Sequence, residues 1–594
     1  MVHRCVYLCF VSKEIPDEFR IEKMILLYKH KGKLDELDNY RGIFLRLIFL
    51  TIYQKWLYVK CAPVVDQHGS ETAFGGRKGK STMNPLLIIK LVQDHARWTK
   101  EQIIFKFMDV EKFFDSMNFH KCMIDIHESG VQGSYWKAYE TINSHRVCVP
   151  VIPSGTCSEI QMNKVFVQGS CDAVLMAWNH MDTLNKKKTD IWSKKCTIQG
   201  IDLDALTFVD DIFEIVKTQY DLLLSSARSE VFQKETRLNF KPPKCKIMVM
   251  NQRERISDEL GGIKLQQVDN HEYLGTIISA DGSRNTEIDR RISDAKSVSN
   301  EIVQILKTTE LSRVRLKYVT TLSNSCVDSK VKYGCSVWNE LKSVQEKNLN
   351  DLKVRLLKRV LELPYSTPSN AVKYEFGLTD LDLDCLMEKI LLANETLKQD
   401  GLGGRLLRAM MEKEVPGFCT EVITALEAFD LTKDSEELML DGKKLRELLK
   451  SKIIQIQSER MVKQMLDESK TDRLLLNGFH FDGSVKEYLV KLPFNEARAI
   501  FMLRTRMLPT KDNFKGRWGT ECVYCGNVES DVHLFTCAGY NDLLGNVKMD
   551  LFLSLDATMD ELFEGAQKLL KVIERLERFN TSKEKKSRCE LFDE

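Results

Sequence analysis

The chain lacks any surplus of one charge: 87 lysines and arginines face 85 aspartates and glutamates, a net of +2 over 594 residues. Overall charge therefore does not point to a polyanionic partner, and any basic groove has to come from local sorting. Glycine (30) and proline (12) are scarce, which excludes a collagen-like repeat and leaves helices to dominate the connections. Long apolar runs are missing. The N-terminal run Val6–Val11 is too short for a bilayer span or a secretory signal and has no small-residue cleavage site. It reads as a strand or helix edge. Seventeen cysteines, an odd number without a signal before them, argue against a disulfide framework and for an intracellular protein with reduced thiols, in nucleus or cytoplasm. No internal repeat or low-complexity tract is visible. With 43% hydrophobic and 29% charged residues, the chain can build real cores, and its length predicts about three to four domains.

Two basic, Gly-rich segments stand near the start, Lys29–Lys33 (KHKGK) and Gly75–Lys80 (GGRKGK). Glycine lets backbone approach a phosphate and the cations supply charge; two solvated turns are the plain alternative. Ile103–Asp109 (IIFKFMD) reads as a buried strand closed by an aspartate. Residues 146–168 read as a hairpin with the apolar runs VCVPVI and VFV around a Pro-Ser-Gly turn. Residues 205–216 (ALTFVDDIFEIV) read as a second hairpin with two aspartates at its tip. Apolar spacing of three and four predicts helices over 285–362 and again over 370–510. The last residues, TSKEKKSRCELFDE, read as a frayed charged tail.

Three carboxylates carry the most chemistry. Asp109 and the pair Asp210–Asp211 close short hydrophobic strand patterns, where an unpaired charge is costly. Carboxylates at the ends of adjacent strands make sense when a divalent cation sits between them. Mg2+ takes oxygen ligands and is commonly shared between carboxylates and substrate phosphates. Two such ions, about 4 Å apart, activate a hydroxyl and stabilise a leaving pyrophosphate. An Asp-Asp turn stabilised by local hydrogen bonds is the bland reading of the pair alone.

Further segments follow in a recognisable order. They are Ile15–Arg20, Leu27–Gly32 and Asn39–Ile43; Phe74–Thr82; Phe107–Asp115; Gln168–Ser170; Phe208–Asp211; Leu238–Phe240 with Lys244–Lys246; Tyr273–Gly275 with Arg290–Ile292; and Tyr333–Gly334 with Val337–Trp338. In this order they resemble the reverse transcriptase of non-LTR, LINE-type retrotransposons over residues 13–365. The resemblance implies an α+β right-hand polymerase: fingers and palm with antiparallel sheet (1–284), helical thumb (285–365), helical linker (366–510), a small zinc module (511–545), and a C-terminal helix and tail (546–594). It implies an RNA-directed DNA polymerase that extends a DNA primer on an RNA template with dNTPs and two Mg2+ ions, without a membrane partner. By position, Asp109, Asp210 and Asp211 would hold Mg2+. Lys244 would stand near the phosphates as a general acid, and Arg41 would grip the triphosphate. Arg77 would contact template or phosphate, Gln168 and Gly169 would shape the pocket, and Phe114 would exclude a 2′-hydroxyl. Two positions depart from the family: Cys171–Val174 replaces the usual Ser-Pro of motif B, and Phe113 stands where alanine is usual.

Cys522, Cys525, His533 and Cys537 have the spacing of a Zn2+ site, two close pairs of thiolate and imidazole donors. LINE-type elements often carry such a CCHC module. The nearby cations Arg504, Arg506, Lys511, Lys515 and Arg517, with Trp518, suit nucleic-acid contact or an ordinary helix face. No endonuclease pattern is found, so the chain reads as a truncated or domesticated copy or one piece of a longer product. Two rival readings stand beside the polymerase. One is a catalytically decayed retroelement protein that only binds nucleic acid; the other is an RNA polymerase on a similar palm, against which Phe114 argues.

Overall fold

The structure is a computed structural model. It describes residues 2–590 except 31, 153–154, 163–165, 167–168, 187–195, 204, 261, 309–314, 467–473, 475–478, 514–518 and 555–556. The fold is α+β, with mixed sheets and a helical C-terminal region. Two compact units divide the chain: Met1–Thr286 with Glu395–Thr420, and Glu287–Asn394 with Glu421–Glu594. Residues 395–420 lie in the range read from sequence as linker, yet they belong to the first unit.

Seven strands organise the first unit: β1 Ile21–Tyr28, β2 Tyr40–Leu45, β3 Ile103–Asp109, β4 Arg146–Ile152, β5 Leu206–Phe208, β6 Asp211–Val216 and β7 Lys246–Met250. One sheet runs β2–β1–β4, with the short segments Gly155–Thr156 and Ile160–Met162 added to β4. Here the expected antiparallel sheet is mixed, because β1 and β4 pair in parallel. The return strand of the 146–168 hairpin is Ile160–Met162. Val165 and Val167 of the VFV run lie outside the described residues, while Phe166 is buried against Phe119.

The second sheet runs Gln266–Gln267, β7, β3, β6, β5, and its four main strands are antiparallel. β3 is buried along its length until its last residue, Asp109. The reason is a layer on each face. Phe107 and Phe213 pack on Tyr273 of the hairpin strand Asn270–Tyr273. Ile104, Lys106 and Met108 face the opposite way, toward the helix Gln219–Thr236, where Ser229 donates to Met108 Sδ and Lys106 reaches Ser225. That helix starts in a capping box made by Thr218 and Asp221. Each fully buried phenylalanine here is worth roughly 2–3 kcal/mol. Lys106 and Glu214, opposed on β3 and β6, are also buried. Lys106 Nζ lies 3.2 Å from Asp258 Oδ2, and Glu214 accepts from Arg228 and Ser225. Buried charges of this kind persist only when paired and hydrogen-bonded.

The second unit is helical, with Arg315–Leu322, Ser343–Val360, Gly442–Leu466, Phe494–Arg504 and Met559–Glu590 among its helices. Its core gathers Trp338, Leu356, Phe376, Phe501 and Leu569. Lys389 ties this core together by donating to the Trp338 carbonyl (2.6 Å) and pairing with Glu421 (2.5 Å). The last helix continues through residues read from sequence as a frayed tail, to Glu590; lysine and glutamate are good helix formers. The N-terminal run lies in the helix Val2–Ser12. The cysteines from Cys5 to Cys537 form no disulfide. Among the described residues no helix is long and apolar enough to cross a membrane.

Candidate active site

Asp109 ends β3, Asp211 opens β6, and the two are directly opposed in the antiparallel ladder. Opposed residues in such a pair share a face, with Cβ atoms about 4.5–5.5 Å apart. Phe208 pairs with Asp211, which leaves Val209 and Asp210 as a two-residue turn. The strands from distant stretches of sequence thus deliver three carboxylates to one sheet edge. Val209 has φ 57°, an unfavourable left-handed conformation for a β-branched side chain. Burial pushes the Asp211 carboxyl up to about 7, and the charges of Asp210 and Asp109 push the same way. Burial also raises Asp210, and Asp109 adds to that; Lys244 and Arg41 pull it down. Crowded carboxylates that resist ionisation together are what a hard divalent cation relieves, and the oxygen-only donor set suits Mg2+.

Lys244 Nζ stands 3.0 Å from both oxygens of Asp109. The approach is built from backbone: Lys241 N–H donates to the Asp109 carbonyl (2.9 Å), and Glu111 N–H donates to Asn239 (2.8 Å). Arg41 is exposed on β2, near enough to Asp210 to influence its charge. Phe114 is half-buried in the short helix Phe113–Ser116, its ring edge-on to Phe113 at 5.4 Å. Phe113, where the resemblance leads alanine to be expected, fills the core.

Residues 29–278 match the family model described as reverse transcriptase (RNA-dependent DNA polymerase). The chain carries a reverse transcriptase domain. The match spans every residue of the site described above. No curated protein matches the sequence. Solved structures similar to the chain include apo telomerase from Candida tropicalis truncated from its C-terminal domain. It has 14% identity and a TM-score of 0.31, over 46% of this chain and 57% of that one. Telomerase from Candida albicans with a fragment of telomeric RNA is similar at 10% identity and TM-score 0.31, over 68% of each chain. Apo telomerase from Candida tropicalis is similar at 10% identity and TM-score 0.35, over 76% of this chain and 74% of that one. The chain thus spans about 57% of the truncated telomerase.

Within the reverse transcriptase domain, the Gly-rich loop serves the aspartate turn. Thr72 and Phe74 bracket β5 by backbone bonds with Thr207 (3.0 and 2.9 Å). This sets Gly75 against the turn: a Cβ there would meet Val209 N at 2.4 Å and Phe208 C at 2.9 Å. Arg77 spends its donors internally, on Asp66 Oδ1 (2.6 Å) and the carbonyls of Ser70, Ala73 and Asp66, and lies over Trp178. Its guanidinium holds the loop in this structure. Lys29 likewise donates to the Asp38 carbonyl at 2.8 Å, and Lys31 lies outside the described residues. Gly169 has φ 104° with open space about it, and Ser170 next to it caps the helix Cys171–Met181 through Ala173 N–H. Gln168 lies outside the described residues. The close packing of Gly75 and the backbone tie between Lys241 and Asp109 were missed in the sequence; only the Gly-Gly step hinted at the first.

The second unit contains a separate cluster. The donor atoms of Cys522, Cys525, His533 and Cys537 all lie within 4.8 Å of one another. Cys522 Sγ is 4.0 Å from Cys537 Sγ, Cys525 Sγ is 3.9 Å from Cys537 Sγ and 3.3 Å from His533 Nε2. A tetrahedron with Zn–S bonds of about 2.3 Å has edges of about 3.8 Å, so the set fits a metal ion. Gly526 (φ 75°) closes the turn after the first pair, and Ser530 caps the short helix bearing His533. The neighbouring cations are less available than sequence suggested. Arg504 is buried on Glu375 (2.7 Å) and Lys511 is buried with its amine on the Glu521 carbonyl. Lys515, Arg517 and Trp518 lie outside the described residues.

Proposed function

We propose that this chain is the RNA-directed DNA polymerase of a LINE-type retroelement, extending a DNA primer 3′-hydroxyl on an RNA template inside the cell, in nucleus or cytoplasm. The observation that carries the reading is the register pairing of Asp109 with Asp211 beside the Asp210 turn. Asp109, Asp210 and Asp211 would hold two Mg2+ ions, which supply activation of the hydroxyl and neutralisation of the triphosphate. Arg41 offers a planar fork of donors to the incoming phosphates. Lys244, ion-paired to Asp109, would hand a proton to the leaving pyrophosphate. Phe114 sits beside the first aspartate strand, where a ring would clash with a ribose 2′-hydroxyl; Gln168 and Gly169 would border the same pocket. Cys522, Cys525, His533 and Cys537 would hold Zn2+ as a structural site, with all four positions taken by protein.

Primer extension on poly(rA)/oligo(dT), with wild type beside Asp210→Ala, tests the proposal. A Mg2+-dependent product that disappears in the variant is expected. Equal background from both proteins would leave only a nucleic-acid-binding retroelement relic.

A further inference from the structure

A buried charge cluster inside the first unit has no part in the chemistry above. Glu22 on β1, Arg146 on β4 and Asp172 in the helix Cys171–Met181 are each fully buried, and the Arg46 side chain, next after β2, is 5% exposed. Arg46 Nε lies 3.1 Å from Glu22 Oε1, and Arg146 Nε donates to the same oxygen at 3.0 Å. Arg46 Nη1 lies 3.9 Å from Asp172 Oδ1 and bonds Gln54 Oε1 at 2.5 Å. Gln54 and Asn143 each donate to Asp172 Oδ2, at 3.2 and 3.1 Å, and Arg146 donates to Asn143. Two guanidiniums meet two carboxylates, so the cluster is neutral as a whole.

Such a cluster is an expensive way to fill a core. Apolar side chains of similar volume would often be more stable. Glu22 Oε2, Arg46 Nη2 and Asp172 Oδ1 even lack a hydrogen-bond partner among the described residues. What directional bonds add, and apolar contacts do not, is a fixed register between elements. The elements joined here are telling. Arg41 lies on β2, and Arg46 follows directly after the last residue of that strand, Leu45. Asp172 follows the open Gly169 turn by three residues. Asp172 also occupies the stretch that departs from the family pattern, so the departure comes with its own partners.

We propose that Asp172 is a positioning residue for nucleotide binding. Through Arg46 and Gln54 it locks the strand bearing Arg41 to the turn at Gly169, and so sets the affinity for the incoming dNTP. The inference rests on the reading that Arg41 and Gly169 face that nucleotide.

Steady-state dTTP incorporation on poly(rA)/oligo(dT) tests it in the full chain. Asp172→Asn keeps the shape and removes the charge. It is expected to raise the KM for dTTP about tenfold with kcat within about twofold of wild type, the pattern of lost positioning in the bound state. Asp172→Asn with Arg46→Gln should raise KM no more than either change alone, since both cut one link. Asp125→Asn breaks a different buried pair, with His180 at 2.5 Å; it should lower Tm and leave KM unchanged. An active wild type whose Asp172→Asn variant loses Tm or active fraction at unchanged KM overturns the inference alone. A wild type without Mg2+-dependent extension overturns the polymerase reading and this inference with it. Should Asp172→Asn fail to fold, Gln54→Met removes both hydrogen bonds by which Gln54 joins Arg46 to Asp172 and decides the matter: a KM raised about threefold supports the lock, and an unchanged KM overturns it.

Discussion

Gly75→Ala is a change of one methyl group that alters no charge, with a calculable consequence. Gly75 does not have a left-handed backbone, so alanine suffers no conformational strain there. The obstacle is steric: the new Cβ would lie 2.4 Å from Val209 N, 2.6 Å from Val209 Cγ2 and 2.9 Å from Phe208 C. Ordinary contact begins near 3.4 Å, so the aspartate turn or the loop must give way by about 1 Å. The main obstacles are backbone atoms, which no rotamer change can move. Overpacking of this size costs about 1–3 kcal/mol of stability, and a misplacement of about 1 Å at reacting groups can cost about a hundredfold in rate. We expect kcat for primer extension to fall about a hundredfold while most of the protein stays folded by thermal melting. Gly79→Ala is the contrast. It sits four residues along the same loop in open space with φ 74°, so it should cost about 1 kcal/mol of strain and little rate. Gly75→Ala with wild-type kcat, or both variants equally slow, would refute the argument that Gly75 seats the turn.

Asp211 gives a pH prediction for the metal-free protein. Its folded pKa, about 7, exceeds the ordinary carboxylate value, so the folded state holds the proton more tightly. The stability tied to that proton is full below about pH 4 and is lost as pH rises through 7. In EDTA, the Tm of wild type relative to Asp211→Asn should therefore fall between pH 5 and 8, and Mg2+ should remove the difference; a flat comparison contradicts it. Phe114→Val should admit ribonucleotides, narrowing the dNTP-to-NTP ratio of kcat/KM by at least about tenfold, roughly 1.4 kcal/mol; an unchanged ratio assigns the ring to packing alone. Purified protein should contain one zinc per chain by elemental analysis, and Cys525→Ser should lose it with a lower Tm, since structural zinc contributes directly to folding. Full occupancy in that variant contradicts the four-ligand site.

Legibility in the sequence followed physics rather than position. β3 could be read because an unbroken apolar run ends abruptly in Asp109, and the Asp210 turn because strand patterns flank it on both sides. The cluster of Glu22, Arg46 and Asp172 could not be read, since isolated charges look like surface until the fold brings partners to them. Arg77 and Arg504 illustrate the same blindness: a guanidinium bound to nearby carbonyls or to a distant glutamate is spelled like one waiting for phosphate. The 146–168 hairpin forms, with β4 antiparallel to Gly155–Thr156 and Ile160–Met162, but the rest of its pairing could not be read. Its pairing partner, β1, lies over a hundred residues upstream, and local alternation does not say which short run returns along β4. Gly75 was visible as a glycine, but its purpose depends on a turn that comes more than a hundred residues later.

The account stands on Asp109, Asp210 and Asp211 forming one cation site. Anomalous diffraction from crystals soaked in Mn2+ and a non-hydrolysable dNTP addresses this directly. The account predicts Mn2+ peaks within about 2.0–2.3 Å of carboxylate oxygens from Asp109 and from the Asp210–Asp211 pair. Nucleotide bound with its Mn2+ held elsewhere, and none at these three carboxylates, would contradict it.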